Sequence, residues 1–480
     1  MSVQTPPRLL TLARQALLKY EALAISDVEK LPTEVFPALF KEAFTGRHTK
    51  IVTAMVAAWP FPCLPVGALM KTPDLETFQA MLAGVDMGLK REEPVGRGKL
   101  QVLDLRNKQH EFWSIWARAE DGGCPAKTLH KKQVVKVLPR YALRRRLKVM
   151  TEPCLRSRLD EEQACFLQWA EQRKGSINFC CRKLKIWALP AHDIIKILNI
   201  FRPEHIEEFE LSTEWNALRL AQLAPCLGQM SNLRRLFLAP TCRNALKIDN
   251  RVADIEECVW KFISQFSEFN CLQHLRISGI YLLRGRMNQV FGCLMPFLET
   301  LSISHHQISQ QDLNCLTWRP KLFKLKHLDM SGVVLLALDV VPLGVFLKTV
   351  AGTLQTLDLT GCKMKDPHLT VLIPALSTCS QLIKVSFYGN DFSMAILMGL
   401  LQHSANLSKM DEERYPAPRE CCHKRGQYSI GRFVHLCAQL RSTLRSIREP
   451  KSISFATDTC PKCGGCSVCN LESITYCGCL

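Results

Sequence analysis

The residues best suited to chemistry crowd the end of the chain, in "CPKCGGCSVCNLESITYCGC". Cys460, Cys463, Cys466 and Cys469 follow one another at intervals of three, and Cys477 and Cys479 come after them. A CxxC turn brings two thiolates onto one metal ion, and glycine permits the tight backbone that this needs. The pattern predicts a structural Zn2+ held by Cys460, Cys463, Cys477 and Cys479, with Cys466 and Cys469 as spare or alternative donors. A ladder of CxxC steps is also similar to an iron–sulfur run, but the final cysteine followed by proline is missing. Six cysteines this compressed are too few for a RING-type domain with two zincs.

Catalytic constellations are otherwise missing. No GxxxxGK[ST], HExxH or GxSxG occurs. "VGRGKL", Val95 to Leu100, has glycines without the spacing of a phosphate loop. His305 and His306 follow a predicted strand and read as surface turn. "LMGLL", Leu397 to Leu401, has the LxxLL form of nuclear-receptor-binding helices, but it falls where a repeat helix needs core leucines. No enzyme is expected.

Composition narrows the classes further. The chain has 480 residues, 47% hydrophobic and 22% charged, as in an ordinary folded protein. No apolar run approaches the roughly 18 residues of a membrane span. The start, "MSVQTPPRLLTLARQALLKYEALAI", interleaves Arg14, Gln15, Lys19 and Glu21 with apolar residues, so no signal peptide is expected. Without one, 23 cysteines point to buried thiols or metal ligands in a reducing compartment. Net charge is +18, and nine bases with no acid lie between Lys127 and Lys148. Such a run suits nuclear import or a solvated loop. It lacks interleaved aromatics, and no helix-turn-helix or Cys/His finger surrounds it, which argues against direct nucleic-acid binding.

The strongest signal is a repeat. An apolar residue, two variable, an apolar, one variable and an apolar recur as "IEEFEL" from Ile206, "LRRLFL" from Leu233, "LQHLRI" from Leu272 and "LETLSI" from Leu298. "LKHLDM" from Leu325, "LQTLDL" from Leu354 and "LIKVSF" from Leu382 continue it, and "LQVLDL" at Leu100 is an outlying copy. Successive starts differ by 27, 39, 26, 27, 29 and 28 residues. A period of about 20–29 residues with this pattern is the leucine-rich repeat signature. The last two apolar residues of each copy point the same way from a short strand. The chain then returns through a helix, as in Asp366 to Cys379, where Leu369, Leu372, Ile373 and Leu376 form one stripe. The expected fold is α/β, a leucine-rich repeat solenoid (horseshoe) with a helical N-terminal cap and a cysteine-rich C-terminal tail. Expected boundaries are 1–95 for the cap, 96–440 for the repeats (clearest over 206–410) and 441–480 for the C-terminal cap and tail. Stacked strands would line the concave side with Arg235, Phe237, His274, Arg276, Ser302, Asp329, Asp358 and Ser386, passing from basic to acidic. Such a face suits a protein partner with its own uneven charge.

The stretches "ALAISDVEKLPTEVFPALFKEAFTGRHTK", "AMVAAWPFPCLPVGALMK", "KLQVLDLRN", "CCRKLKIWALP" and "LGQMSNLRRLFL" resemble the PRAME (preferentially expressed antigen in melanoma) family. So do "LLRGRMNQVF", "LETLSIS", "CSQLIKVSFYGN" and the terminal "CPKCG", which together span the chain. The resemblance implies the substrate receptor of a cullin-2 RING ubiquitin ligase. Its partners would be elongin B/C, cullin-2 with its RING subunit, and a protein substrate. "TLARQALLKY" matches the elongin-binding box with Thr11, Leu12, Ala16, Leu17 and Tyr20. "LPTEVFPAL" matches the cullin-2 box with Leu31, Pro32, Val35 and Leu39. If so, Leu31, Val35 and Leu39 form a stripe free for a cullin, while Phe36, Phe40 and Phe44 pack on the N-terminal cap of the repeat array. The resemblance also implies effects on transcription, differentiation, proliferation and apoptosis, in cytoplasm and nucleus. Two other readings stay open: a repressor or scaffold for a nuclear receptor or chromatin protein, and an F-box-like cullin-1 adaptor.

Overall fold

A computed structural model describes residues 9–70, 74–90, 98–107, 112–113, 147–241, 255–294, 297–319, 322–422, 428–458, 460 and 464–477. The chain divides into two compact units, one of residues 1–185 and 196–205, the other of 186–195 and 206–480. This division falls near residue 200, and the copy at Leu100 is built into the first unit.

The first unit opens with helices α1 (Leu9–Lys19), α2 (Glu21–Ser26), α3 (Phe36–Thr45), α4 (Thr49–Ala57) and α5 (Leu75–Lys90). Proline at 37 sits in the first turn of α3, where its missing N–H costs nothing. Pro32 lies in the preceding turn, whose carbonyl accepts from Val35 N at 3.1 Å, so one continuous helix never forms. Phe36 and Phe40 are fully buried and meet Trp59 edge-on at 6.1 and 5.1 Å between ring centres. Their packing partner is thus an aromatic cluster of this unit. Strands β1 (Cys63–Leu64), β2 (Val102–Asp104), β3 (Lys148–Thr151) and β5 (Asn178–Cys181) make a parallel sheet in that order. A short strand β4 (Cys154–Leu155), which lies outside this four-stranded sheet, and helix α6 (Glu161–Gln172) belong to the same stretch of chain. The strand β6 (Lys183–Trp187) and helix α7 (Ala191–Ile200) straddle the division.

The second unit is the repeat array. Strands β7 (Glu208–Thr213), β8 (Arg235–Pro240), β9 (His274–Ile277), β10 (Thr300–Ser302), β11 (His327–Asp329), β12 (Thr356–Asp358), β13 (Lys384–Ser386) and β14 (Glu412–Pro416) pair in parallel in sequence order. Helices α8 (Ala217–Gly228), α9 (Ile255–Ser264), α10 (Met287–Cys293), α11 (Gln310–Cys315), α12 (Val341–Val350), α13 (Asp366–Leu376) and α14 (Met394–Gln402) return the chain between them. The mid-strand residues Leu236, Leu275, Leu301, Leu328, Leu357 and Val385 are all buried, one per repeat. Each buried leucine is worth about 1.5–3 kcal/mol of transfer free energy. After α15 (Ile430–Ile447), β15 (Ile453–Ala456) adds in parallel, and β16 (Val468–Asn470) and β17 (Ile474–Thr475) close the edge as an antiparallel meander.

Several of the strands end in a turn through left-handed backbone. Gly332 sits there at φ 71°, and a Cβ on it would collide with the His305 imidazole. His305 takes the same conformation, φ 52°, in its own repeat, at a cost of about 1–2 kcal/mol for a side chain there. The next position turns inward as Ile280, His306, Val333, Cys362 and Asn390, all buried. Asn390 fills it best, donating to Leu359 O and Phe387 O and accepting from Met364 N, each at 2.9 Å. His306 corrects the surface-turn expectation: it is 1% exposed. Its Nε2 lies 3.2 Å from Leu283 O, and its Nδ1 has no hydrogen-bond partner among the described residues.

Burial holds the His306 imidazole below its ordinary pKa, only partly offset by the Leu283 carbonyl and Asp312. As pH falls, the unfolded chain therefore takes this proton first. Its stabilisation is complete above about pH 6.5 and is lost below it, with a slope of up to about 1.4 kcal/mol per pH unit. Thermal unfolding at about pH 7.5 and about pH 5.5 should show a smaller acid loss in His306→Asn than in the parent. Equal losses would mean that His306 does not carry the effect.

Candidate partner-binding surfaces

Helix α1 is inside out. An amphipathic helix normally buries its leucines and exposes its charges. Here Arg14 is buried, with Nε 2.9 Å from Glu42 Oε1 on α3. Successive residues step by 100°, so a helix that turns Arg14 inward turns Leu9, Leu12 and Ala16 outward. Leu9 is 85% exposed, Leu12 47%, Tyr20 56% and Leu23 of α2 60%; Ala16 is exposed too. Thr11 and Leu17 are half-buried at the flanks of this stripe. Four of these, Thr11, Leu12, Ala16 and Tyr20, are the defining positions of the elongin-binding pattern. Leu9 and Leu23 extend the stripe beyond the pattern, and only their continuation of the three-four spacing signalled them.

The neighbouring cullin-box residues divide. Leu31 is half-buried and Pro32 exposed, but Val35 and Leu39 are 9% and 0% exposed. The expected free stripe is therefore corrected. Val35 is the cap residue of α3, and Leu39, four residues on, points into the same core as Phe36 and Phe40.

In the second unit the strand register fixes two outward rows. One runs Glu208, Arg235, His274, Thr300, His327, Thr356, Lys384 and Glu412. The other runs Glu210, Phe237, Arg276, Ser302, Asp329, Asp358, Ser386 and Arg414. Every concave-face residue read from the repeats lies in these rows. Their exposure differs: Arg235 and Arg276 are exposed, Phe237, His274, Asp329 and Asp358 half-buried, and Ser302 and Ser386 buried. Hydrogen bonds tie neighbours together, with His274 Nδ1 to Thr300 Oγ1 at 2.8 Å and His327 Nδ1 to Thr356 Oγ1 at 3.0 Å. Burial, and then neighbouring charges that include the cation of Arg276, hold both imidazoles below their ordinary pKa. The rows also correct the simple basic-to-acidic gradient. They start at Glu208 and Glu210 and end at Lys384, Glu412 and Arg414, so charge alternates in blocks.

The last of these strands escaped the repeat pattern because Glu413 stands where others have leucine. It is 1% exposed, pairs with Arg448 Nη2 at 2.6 Å and accepts the Tyr415 hydroxyl at 2.8 Å. The Tyr415 ring stacks between Phe387 and Phe455, at 6.1 and 5.8 Å. Burial and the adjacent carboxylate push its phenol pKa well up, so it stays a donor.

The tail folds as the meander of β15 to β17. The connection from β15 to β16 carries Cys460 and Cys466, and β17 runs back toward the same end, where Cys477 N donates to Ser467 Oγ at 3.1 Å. Cys460 opens a turn closed by Gly464 N to Cys460 O at 2.9 Å and Cys460 N to Gly465 O at 2.7 Å, with Gly464 at φ 71°. Cys469 is committed elsewhere: it is buried opposite Phe455 and contacts the buried Cys437 of α15. The neighbouring Cys437 thiol lowers the pKa of Cys469, against the opposing effect of burial. Cys463 and Cys479 lie outside the described residues, and among the described residues no three metal-ligating side chains gather.

Other sequence features resolve without a site. Leu397, Leu400 and Leu401 of "LMGLL" are buried in α14, as a repeat core requires. The basic run from Lys127 to Arg146 and the first half of "VGRGKL" lie outside the described residues, while Leu147 leads into β3, which Lys148 opens. No helix among the described residues is long and apolar enough to cross a membrane.

Comparison with known proteins matches the chain in two parts. The family model described as the PRAME N-terminal domain matches residues 6–113, and that of the PRAME C-terminal domain matches 147–479. PRAME family member 12 of Homo sapiens is 43% identical over 466 residues, covering 97% of this chain and 95% of that one. PRAME family member 20 of Homo sapiens is 42% identical over 476 residues, covering 98% and 99%. Among solved structures, the Rad7 and Elc1 complex in yeast aligns over 89% of this chain and 97% of that one, at 12% identity and a TM-score of 0.41. That likeness is too loose to argue from, whereas two domain models in order and near-complete coverage of the human relatives are not: the chain belongs to the PRAME family.

Proposed function

We propose that the protein is the substrate-recognition subunit, an adaptor without chemistry of its own, of a cullin-2 RING ubiquitin ligase. The α1 stripe binds elongin C of the elongin B/C pair, and the sheet face of the second unit takes up a protein for ubiquitination and proteasomal degradation. Such an adaptor supplies proximity and orientation to the enzyme that it recruits. Loss of the degraded protein then acts on transcription, differentiation, proliferation and apoptosis, in cytoplasm and nucleus.

The observation that carries this reading is the inverted α1. Exposing Leu9, Leu12, Tyr20 and Leu23 forgoes about 1.5–3 kcal/mol for each side chain that a partner would cover. Burying Arg14 instead needs the Glu42 carboxylate to offset its desolvation. A helix that presents apolar residues at three-four spacing is the form in which a groove receives one. Leu31 and Pro32 would meet the cullin, while Val35 and Leu39 hold the turn that presents them. Zinc belongs to the same reading. The turn at Cys460 and the return of Cys477 to that end suit a four-cysteine site completed by Cys463 and Cys479, and the ion would pin the closing meander.

Purification of a Leu12→Asp, Ala16→Asp variant tests the reading. Both positions are exposed, so folding should be kept, while elongin B/C and cullin-2 recovery should fall about tenfold or more. Undiminished recovery would remove the α1 assignment, and cullin-1 in place of cullin-2 would reassign the ligase. Metal analysis of Cys460→Ser, Cys463→Ser should lose about one zinc per chain relative to the parent. A parent without zinc, or a variant with equal zinc, would remove that site.

A further inference from the structure

Most charges on the sheet face of the second unit are answered within the chain. Arg235 Nη1 lies 3.4 Å from Glu208 Oε1, Lys384 Nζ lies 2.9 Å from Glu412 Oε2, and Arg414 pairs with that same carboxylate. Three are not. Arg276 is exposed and makes no ion pair or hydrogen bond among the described residues. Asp329 accepts from Ser331 N at 2.9 Å and from the Ser302 hydroxyl at 2.7 Å, and Asp358 accepts from Thr360 N at 2.9 Å. Those contacts are neutral, so among the described residues neither aspartate has a cation.

The register puts the three in one row. Arg276 on β9 pairs with Ser302 on β10, Ser302 with Asp329 on β11, and Asp329 with Asp358 on β12. At about 4.8 Å per strand, Asp329 stands about 10 Å from Arg276 and Asp358 about 14 Å. Between them Thr300 and Ser302 are buried and uncharged, which leaves a flat crossing. Phe237 adjoins Arg276 on the other side, half-buried, and adds an apolar contact at the cationic end.

We infer that this strip receives an extended protein segment lying across the strands, with an acidic side chain on Arg276 and a basic one, four residues further, on Asp329 and Asp358. Alternate residues of an extended segment face the same way, and four residues span about 13 Å, which matches the separation on the row. Opposite charges at both ends fix direction as well as register, and a segment of the reversed order meets like charge at each end. The inference rests on the proposed use of the sheet face for substrate, and it adds the class of segment that the face takes.

A random-peptide display library panned against the full-length chain tests it, with two sets of variants. Arg276→Glu and the pair Asp329→Asn, Asp358→Asn alter the strip; the asparagines keep the oxygen that accepts from the turn. Arg235→Glu and Lys384→Glu alter exposed charges elsewhere on the same face. Unchanged thermal unfolding verifies that each variant folds. Selected peptides should carry an acid and, four residues later, a base, and should bind about tenfold more weakly to either strip variant. Arg276→Glu should select a base at the first position. Peptides without that pattern, weakened by Arg235→Glu or Lys384→Glu but not by the strip variants, would overturn this inference and leave the sheet face as a docking surface. Peptides indifferent to all of these variants would overturn both.

Discussion

Because β7 to β14 pair in parallel without a slip of register, the residue in the middle of each strand, leucine from β8 to β12, must face the helices and its two neighbours must face out. A one-residue slip would turn the leucine row outward and the charged rows inward, so the register is enforced by burial of the row. The rest of the second unit follows from this. Strands this close bring their end turns into contact, which is why a Cβ on Gly389 would meet Gly361 at 3.3 Å and why His305 presses on Gly332. The position behind each turn must be filled from within, by Asn390, Cys362, Val333 or His306. The array must also end, and it ends by exchanging leucine for a buried ion pair, Glu413 with Arg448, before the antiparallel meander closes the edge.

The first unit obeys a different constraint. Its core is aromatic, built around Trp59, and α1 is attached to α3 through a charge pair, Arg14 with Glu42. Attachment through charge frees the apolar side of the helix for something else. The same chain therefore offers two surfaces of different kinds. One is an apolar stripe, sticky and non-directional. The other is a polar sheet face, whose unanswered charges would discriminate among partners by sign and spacing. An adaptor needs this difference, since a constant partner is held by burial and a substrate is chosen by discrimination.

The repeats were legible because leucine at LxxLxL spacing has a single structural use. The residues read as outward, from Arg235 to Ser386, are those that the register places outward, and the stripe Leu369, Leu372, Ile373, Leu376 is buried as its spacing required. The failures share a cause. Glu413 hid a strand because its partner, Arg448, is 35 residues away in sequence. Val35 and Leu39 matched a motif, but whether a motif leucine faces a partner or the chain's own core depends on what packs above it, here the cluster around Trp59. The inversion of α1 was likewise invisible. Amphipathicity alone would bury Leu12 and expose Arg14, and only Glu42 on another helix reverses the choice. Four cysteines read as a zinc set were placed by spacing, yet Cys469 was put among the alternates when its role is to meet Cys437 in the core.

On the proposed function, the ligase attaches at the exposed stripe of α1 and α2. Hydrogen–deuterium exchange of the full-length chain, alone and with purified elongin B/C, locates that contact directly. Exchange across Leu9 to Ser26 should slow on adding elongin B/C, with β9 to β13 unchanged. Unaltered exchange in α1 and α2, or protection confined to strands of the second unit, would contradict it.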